Sequence, residues 1–244
     1  MCGRFANGLS HAEFEDAVEQ LLPPHRPHTL RATDYHPTYN VAPNTRYPIV
    51  RRAAPADRAD DGILMETMRW GVSTAQLPHR QQSEPHLVIN ARDDAIVHSR
   101  LWSELVSAHR GVVFCQGYYE WMKRPVPGAK PRRVPYFVGM DAPGTGRPTA
   151  DGRGCQLMAI AALYLPAPGP AEARAEARFT ICTTRPSQQL EFLHDRMPVL
   201  LPHVRAVAEW LGVATPGAES RDACSLLRPY QGHLACYKVP AETG

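Results

Sequence analysis

The sequence has no apolar run of the roughly 20 residues that a membrane-spanning helix needs. Its first residues lack the charged-then-apolar order of a secretory signal peptide. None of its six cysteines forms a Cys-x-x-Cys pair, which argues against a zinc site and against a disulfide framework. We also find no internal repeat. These absences exclude membrane-spanning, disulfide-rich and repeat proteins, and they predict a cytoplasmic protein whose thiols stay reduced.

The composition is that of a globular protein, with 43% hydrophobic and 21% charged residues in a chain of 244. This length suffices to bury a large core, and it is compatible with one domain or with two. The net charge of +3 and the pI of about 8.6 permit a nucleic-acid partner without requiring one.

Local patterns predict an α+β protein. A helix is expected over Ser10–Leu22, because Ser10 and Glu13 form a capping box, an apolar stripe follows, and two prolines end it. Further helical segments are expected at residues 99–106, 187–193, 203–211 and 220–227. Strand patterns recur at residues 47–51, 63–70, 87–89, 111–115, 134–140, 156–164, 178–183 and 233–239, with surface loops at 141–154 and 166–177. Many strands at short spacing favour antiparallel sheets curled into a barrel-like core with peripheral helices.

Cys2 follows a methionine that can be removed during synthesis, because cysteine is a small residue. Its thiol and its free α-amine would then form a 1,2-aminothiol. Reference pKa values of about 8 for an α-amine and about 8.5 for a thiol leave usable fractions of amine and thiolate near neutrality. This group can condense with an aldehyde and close to a thiazolidine, or it can attack an amide as N-terminal nucleophile hydrolases do. The alternative interpretation is an ordinary residue on a frayed terminus.

Three further polar residues directly adjoin apolar runs. Glu120 stands beside tyrosines and a tryptophan, where partial desolvation suits a group that gives and takes a proton. His194 follows an apolar segment and can act as a general acid or base. Asn90 can bond an amine, a carbonyl or a sugar hydroxyl. Each also has a structural interpretation, as a surface charge, a boundary histidine or a turn asparagine.

Arginines and tryptophans accompany these residues. Arg4, Arg92 and Arg196 can grip phosphates bidentately, although single arginines are usually surface or ion-paired residues. Trp70 and Trp121 can stack bases, although a tryptophan is more often part of a core.

Together these stretches resemble the SOS-response-associated peptidase family, proteins that crosslink to abasic sites in single-stranded DNA. The resemblance rests on residues 1–5, 39–43, 68–71, 90–92, 117–121 and 183–200, in the family's order. Its most specific elements are Asn-Ala-Arg, Tyr-Glu-Trp and His-Asp-Arg-Met-Pro behind Met-Cys-Gly-Arg. The resemblance implies a single domain of this type over residues 1–244.

By this resemblance, Cys2 is the nucleophile through both its amine and its thiol, and Asn90 positions that amine or the opened sugar. Glu120 shuttles protons, and His194 assists opening of the sugar. Phosphate contacts beside the lesion are implied for Arg4, Arg92 and Arg196. Shaping of the site, and stacking or wedging of bases, are implied for Pro43, Trp70, Trp121 and Met197. The implied partner is single-stranded DNA with abasic sites, bound by a monomer that associates with the nucleoid, without a metal or organic cofactor. The family's name is consistent with self-removal of the initiator methionine by the same cysteine.

Two stretches depart from the family's usual pattern, and they leave the shape of the DNA groove near them open. Val72–Gln76 stands where Pro-Ser-Trp is common, and Phe114–Gln116 stands where Pro-Ala-Asp is common. Two other functions also remain open. An N-terminal-nucleophile amidotransferase or hydrolase also begins Met-Cys-Gly and predicts amide turnover. A non-catalytic single-strand DNA binder would use the arginines and tryptophans without Cys2.

Overall fold

The computed structural model describes residues 2–22, 28–29, 34–54, 57, 62–74, 86–140, 157–167, 176–213 and 222–240. Its strands are β1 (Arg4–Asn7), β2 (His28–Thr29), β3 (Thr38–Val41), β4 (Arg46–Arg52), β5 (Ile63–Trp70), β6 (Val72–Ser73), β7 (Leu87–Val88), β8 (Asn90–Arg92), β9 (Arg110–Cys115), β10 (Gly117–Val126), β11 (Ala129–Met140), β12 (Met158–Leu165), β13 (Arg178–Thr184), β14 (Met197–Pro198) and β15 (Leu234–Lys238). Its α-helices are α1 (His11–Glu19), α2 (Asp93–His98), α3 (Arg100–Ala108) and α4 (Val204–Leu211). Short 3₁₀ turns occur at Gln188–Leu190 and Ala223–Leu226.

Helix α1 forms within the predicted range Ser10–Leu22, but it ends at Glu19, three residues before the expected end. Ser10 is the N-cap, and its hydroxyl accepts the backbone N–H of Glu13. The Glu13 carboxylate accepts the backbone N–H of Ser10 at 2.9 Å, so the capping box is complete. Phe14 and Val18 lie four residues apart, on one side of the helix, and both are buried. The predicted apolar stripe therefore faces the core.

A five-stranded antiparallel sheet carries the N-terminal strand, in the order β15-β11-β10-β1-β3. Phe5 of β1 lies opposite Tyr118 of β10, and both side chains belong to the main apolar core. The other face of this sheet carries a second, smaller apolar cluster of Ala6, Tyr119 and Phe137. The sheet therefore packs apolar side chains on both of its faces near β1.

The larger sheet closes on itself. Strands β4, β5, β13, β12 and β9 pair in that order, and β9 returns to pair with β4. The pairs of this ring are antiparallel except for β5 with β13, where Arg69 faces Arg178 and Trp70 faces Phe179. Strands β8 and β14 also pair with β13. This ring confirms the expectation of an α+β fold with mostly antiparallel sheets curled into a barrel-like core.

One continuous apolar core joins the ring, the five-stranded sheet and the helices. Phe5 makes this link at the N-terminal strand, because its ring lies 4.8 Å from that of Tyr47 and 5.0 Å from that of Trp70. Burying a side chain of this size stabilises a fold by about 1.5–3 kcal/mol. The residues directly before Phe5 are thereby held close to the ring.

Several details differ from the sequence-based expectations. Leu87 was expected in a buried strand but is 36% exposed, because β7 pairs with β6 in a separate two-stranded sheet. Ser99 is the N-cap residue of α3, but its side chain makes no capping hydrogen bond. The helices expected at 187–193 and 220–227 are short 3₁₀ turns. The expected loops at 141–154 and 166–177 lie largely outside the described residues.

Candidate active site around Cys2

Cys2 lies two residues before the start of β1, and its side chain is fully buried in the main core. Its Sγ makes a weak hydrogen bond to the carbonyl oxygen of Arg4 at 3.9 Å. Burial raises the pKa of the Cys2 thiol well above its usual range, and Glu120 and Cys115 raise it further. Because the thiolate is the nucleophilic form, this thiol needs a proton acceptor close by to react near neutral pH.

Asn90 binds the backbone of Cys2 across the fold. It begins β8 opposite Ile181 of β13, and its Nδ2 donates a hydrogen bond to the carbonyl oxygen of Cys2 at 3.0 Å. The carbonyl of the preceding residue, Ile89, accepts the indole N–H of Trp70 at 3.0 Å. Within the described part of the chain, the buried Oδ1 of Asn90 has no hydrogen-bond partner. The amide therefore holds Cys2 with one atom and keeps an acceptor for a ligand with the other.

Glu120 supplies a buried carboxylate to the same region. Its side chain is 4% exposed, and its Oε1 accepts the backbone N–H of Trp121 at 3.1 Å. Tyr118 lies two residues before it on β10, and the pKa of that phenol is raised first by burial, then by Cys2 and by Glu120. The burial expected for Glu120 from its aromatic neighbours is confirmed. The thiol, the carboxylate and the phenol form one electrostatically coupled group.

Arg196 and Asp93 organise a second group of polar residues. The Nη2 of Arg196 donates to Oδ1 of Asp93 at 2.6 Å and to the carbonyl oxygen of Thr183. The Oδ2 of Asp93 accepts the hydroxyl of Thr184 at 2.8 Å. Strand β8 connects the two groups, because Asn90 belongs to the first group and Asp93 directly follows the end of that strand.

His194 belongs to the second group through the backbone of Arg196. Its Nδ1 accepts the backbone N–H of Arg196 at 3.1 Å, and it also lies 2.6 Å from a carboxylate oxygen of Asp195. The first contact needs an Nδ1 that carries no proton and the second an Nδ1 that carries one, so the two contacts are alternatives, which the two tautomers of the neutral ring already provide. The His194 side chain is 21% exposed, which leaves it accessible to a ligand.

Arg4 and Arg92 occupy different environments. Arg4 donates from Nη1 to the carbonyl oxygen of Gly3 at 3.0 Å, and its buried Nε has no hydrogen-bond partner among the described residues. Arg92 is exposed and binds Asp94 through Nε and Nη2, at 3.0 and 2.7 Å. A phosphate at Arg92 or Arg196 would thus replace a carboxylate that is already bound.

Trp70 and Met197 are buried in this structure, and stacking or wedging of bases by these two side chains remains a prediction. Trp70 is 0% exposed and stacks on the ring of Phe179 at 6.2 Å. Met197 is 1% exposed, and its Sδ accepts the backbone N–H of Ser187 at 3.2 Å. These two side chains adjoin the site from beneath: Trp70 bonds the carbonyl oxygen of Ile89, which precedes Asn90, and Met197 directly follows Arg196.

Trp121 and Pro43 retain partly exposed side chains. Trp121 packs against the second apolar cluster, on the face of β10 opposite to Glu120, because consecutive residues of a strand point to opposite faces. Pro43 lies in a turn fixed on the ring, where the N–H of Asn44 donates to the carbonyl oxygen of Trp70 at 2.8 Å. DNA contacts by these two residues remain a prediction.

Two residues of this region escaped the sequence analysis. Asp93, which binds Arg196, is the first residue of α2. Acidic residues are favoured at helix N-termini by the helix dipole, so the sequence gives no separate signal of its bond to Arg196. Cys115 lies in the stretch that departs from the family's pattern, and it raises the pKa of Cys2. Gln116 in the same stretch accepts the backbone N–H of Gly8 at 2.8 Å. A residue of the departing stretch therefore holds the chain just after the end of β1.

No group of three His, Cys, Asp or Glu side chains within the described ranges is arranged to hold a metal ion. In that same portion of the chain, no helix is long and apolar enough to cross a membrane.

A cysteine tethered through its carbonyl and coupled to a buried carboxylate is an arrangement suited to covalent chemistry. The chain belongs to the SOS response associated peptidase (SRAP) family, whose model matches residues 1–244. It is 28% identical over 242 residues to the abasic site processing protein HMCES of Gallus gallus, a match that covers 94% of this chain and 70% of that protein. It is 29% identical over 242 residues to the abasic site processing protein YoqW of Bacillus subtilis strain 168, covering 98% of this chain and 92% of that protein.

The fold is also similar to a solved structure, that of a phage-related protein from Bordetella bronchiseptica. The TM-score is 0.65 at 28% sequence identity, and the match covers 98% of this chain and 94% of that one. The similarity therefore extends over both sheets and not only over the Cys2 region.

Proposed function

We propose that this protein processes abasic sites in DNA by forming a covalent adduct through Cys2. Membership of the SRAP family and similarity to proteins named for abasic site processing support this function. The observation that carries the proposal is the hydrogen bond from Asn90 to the Cys2 carbonyl, which fixes the residue that would react. The coupling of Glu120 to the Cys2 thiol adds to it.

The proposed chemistry begins once Met1 has been removed and Cys2 carries a free α-amine. The amine adds to the aldehyde of the ring-opened abasic sugar, and loss of water gives an imine. The thiol then adds across the imine double bond: a sulfur–carbon bond forms, and the nitrogen gains a proton. The product is a five-membered thiazolidine, formed without any change in oxidation state. We include self-removal of Met1 by Cys2 in the proposal, in keeping with the family's description as a peptidase.

Each neighbouring group has a role in this proposal. Glu120 accepts the thiol proton, which burial would otherwise keep on sulfur, and returns a proton to the nitrogen. Asn90 holds Cys2 with its Nδ2 and offers its unpaired Oδ1 to the amine or to a hydroxyl of the sugar. His194, whose partly exposed ring contacts the carboxylate of Asp195, assists opening of the sugar ring.

The proposed partner is single-stranded DNA. Arg4 lies two residues from Cys2 and has a buried, unpaired Nε, so it is well placed for a phosphate beside the lesion. Arg92 and Arg196 would bind further phosphates by exchanging their carboxylate partners. Because a phosphate at Arg92 takes the place of an existing ion pair, its net contribution to affinity is smaller than that of Arg4. Arg196 is ion-paired through Nη2, but its buried Nε, like that of Arg4, has no hydrogen-bond partner among the described residues.

The experiment compares three forms of the protein by intact mass after mixing with an abasic single-stranded oligonucleotide, with and without borohydride. The wild type should give a heat-stable adduct. Cys2→Ser keeps the amine but has a poor ring-closing nucleophile, so its adduct should appear mainly after reduction. A form with an uncleaved extension before Cys2 has an amide in place of the amine and should give no adduct.

An undamaged oligonucleotide of the same sequence is the control, and it should give no adduct with any form. If the blocked form crosslinks like the wild type, another group reacts and the proposal fails. Turnover of glutamine or simple amides by the wild type, without an adduct, would favour an N-terminal-nucleophile hydrolase. Equal binding of damaged and undamaged DNA with no adduct would indicate a single-strand DNA binder.

A further inference from the structure

Strands β10 and β11 extend well beyond their neighbours in the five-stranded sheet. Strand β1 pairs with β10 only as far as Tyr119, and β15 pairs with β11 only from Tyr136 onward. The outer parts of β10 and β11, from Met122 to Val134, therefore form a two-stranded ribbon (the β10–β11 ribbon) that projects from the sheet.

The β10–β11 ribbon is strongly basic. Lys123 lies directly opposite Arg133, and Arg124 lies directly opposite Arg132. Like charges in directly opposite positions destabilise a strand pair. The sequence contains no Asp or Glu from residue 121 to residue 140 that could offset them. The ribbon thus keeps an internal repulsion that a bound polyanion would relieve.

The register assigns these two pairs of cations to opposite faces. Residues directly opposite each other share a face, and the faces alternate along a strand. The Glu120 and Tyr136 pair is followed on the same face by Met122 with Val134, and then by Arg124 with Arg132. At about 3.4 Å per residue, this face leads from Glu120 to Arg124 over about 14 Å. The Lys123 and Arg133 pair lies on the other face, with Trp121.

An exposed aromatic side chain adjoins the beginning of this face. Phe192 is 54% exposed, and its ring meets that of Tyr136 edge-on at 5.6 Å. Phe192 also precedes His194 of the second polar group by two residues, and its contact Tyr136 lies opposite Glu120 of the first group. Proteins that bind single strands combine aromatic platforms for bases with cations that follow the backbone. The Glu120 face of the ribbon carries the cations Arg124 and Arg132, and Phe192 adjoins this face where the ribbon begins.

We propose that the Glu120 face of the β10–β11 ribbon is a track for the single strand that flanks the lesion. A base next to the lesion stacks on Phe192, which Tyr136 supports, and phosphates further along bind Arg124 and Arg132. This inference rests on the proposed function, because it gives the path by which the substrate strand leaves the Cys2 site.

The test measures non-covalent binding of an undamaged single-stranded oligonucleotide at several salt concentrations. The double variant Arg124→Gln with Arg132→Gln should lower the steepness of the log–log salt dependence by about 1.4, at about 0.7 per lost phosphate contact. The double variant Lys123→Gln with Arg133→Gln is the matched control, with the same loss of charge on the other face of the same ribbon. It should leave the slope unchanged. Both variants remove a like-charge pair, so both should fold at least as well as the wild type.

Phe192→Ala provides an independent test of base stacking. It should weaken binding of an oligonucleotide that carries bases throughout by about 5- to 150-fold. It should have no effect on binding of a strand in which base-free spacers replace the nucleotides. Equal slope changes in the two double variants would reduce the ribbon to a general electrostatic surface and overturn the track. An unchanged slope in both would overturn it as well, as would a Phe192→Ala effect that does not depend on bases.

The two proposals can fail separately. None of these strands carries the aldehyde of an abasic site, and Cys2 takes no part in the measurements, so they test the track even if no adduct forms. Conversely, if the track is wrong, the wild type should still crosslink to an oligonucleotide that ends next to the lesion.

Discussion

The substitution Asn90→Asp tests the contact on which the candidate site depends. It preserves the size and shape of the side chain but replaces the Nδ2 donor with an oxygen. In the native protein this nitrogen donates to the carbonyl oxygen of Cys2 at 3.0 Å. In the variant at neutral pH, two acceptors face each other, and the Cys2 carbonyl loses its donor.

The expected cost follows from the energetics of unpaired buried groups. Removing the donor of a buried acceptor destabilises a protein by about 1–3 kcal/mol, whereas the net value of an ordinary hydrogen bond is about 0.5–1.5 kcal/mol. We therefore expect the variant to lose about 1–3 kcal/mol of unfolding free energy at pH 7. For a chain of this length, each kcal/mol lowers the melting temperature by about 2–4 °C. The expected decrease is about 2–12 °C.

The loss should depend on pH in a defined direction. The protonated form of the new carboxyl group can donate to the Cys2 carbonyl, so folding favours that form and raises its pKa above the unfolded value of about 3.9. A group of this kind contributes its stabilisation fully below the unfolded pKa, and the contribution is lost as the pH rises through the folded pKa. The variant should thus approach the wild type near pH 4 and fall below it at neutral pH.

Urea unfolding of both proteins at about pH 4 and about pH 7.5 measures this difference. Asn40→Asp is the control, because it makes the same chemical change at an exposed asparagine. If Asn90→Asp is as stable as the wild type at neutral pH, the tether does not hold Cys2. If its deficit is the same at both pH values, the lost donor is not the cause.

Three further predictions concern the reaction and the second polar group. Glu120→Gln should keep the fold but slow crosslinking to abasic DNA by about 10²–10⁴-fold, measured by adduct formation against time, and an unchanged rate would remove Glu120 as the proton carrier. Because burial and Glu120 raise the pKa of the Cys2 thiol, the thiolate fraction increases with pH throughout the neutral range, so wild-type crosslinking should accelerate from about pH 6 to about pH 8. The pH profile of the crosslinking rate should move to lower pH in Glu120→Gln. A profile that does not move would contradict the inference that Glu120 raises the pKa of the Cys2 thiol. Arg196→Ala should lower the free energy of unfolding by about 1.5–3 kcal/mol in urea, because it removes the bond to Asp93. Arg92→Ala should cause no measurable change, because its pair with Asp94 is exposed. Equal effects of the two substitutions would contradict the inference that burial makes the Arg196 pair the stronger one.

The sequence predicted best those features that depend on neighbours along the chain. The capping box of α1 spans four residues, and Ser10 and Glu13 contact each other as expected. The strand of residues 63–70 was predicted at its observed bounds, because its apolar residues recur with a strand period. Such signals are complete within one element, so no knowledge of the tertiary fold is needed.

Features that depend on distant residues could not be predicted in this way. The ring closes through the pair of Arg69 with Arg178, and no local pattern indicates which of several strands will meet. The outer half of β11 was not expected as strand because Pro131 and the basic residues around it are typical of a loop. Proline is tolerated there because, among the described residues, the ribbon has no further strand beside it to which a backbone N–H must donate.

The candidate site shows the same limit for individual side chains. Asn90 and Glu120 were chosen for their chemistry alone. The tertiary fold decides that Asn90 forms a hydrogen bond with Cys2 and that Glu120 raises the pKa of the Cys2 thiol. Trp70 and Trp121 are the same residue type beside similar motifs, yet one is fully buried and the other half-buried. Which of them faces solvent is decided by the packing around each strand, not by its sequence context.

The position of β1 within the five-stranded sheet has a consequence for how the chain is made. This strand cannot pair with β10 until residues 117–119 have left the ribosome, and β10 in turn needs β11. At about 5–20 residues per second, the strand waits on the order of ten seconds before its partner exists. During that interval the segment around Cys2 is open to processing enzymes, and afterwards the Cys2 side chain is buried in the core. The order of synthesis therefore gives any enzyme that trims this terminus a limited time in which to act.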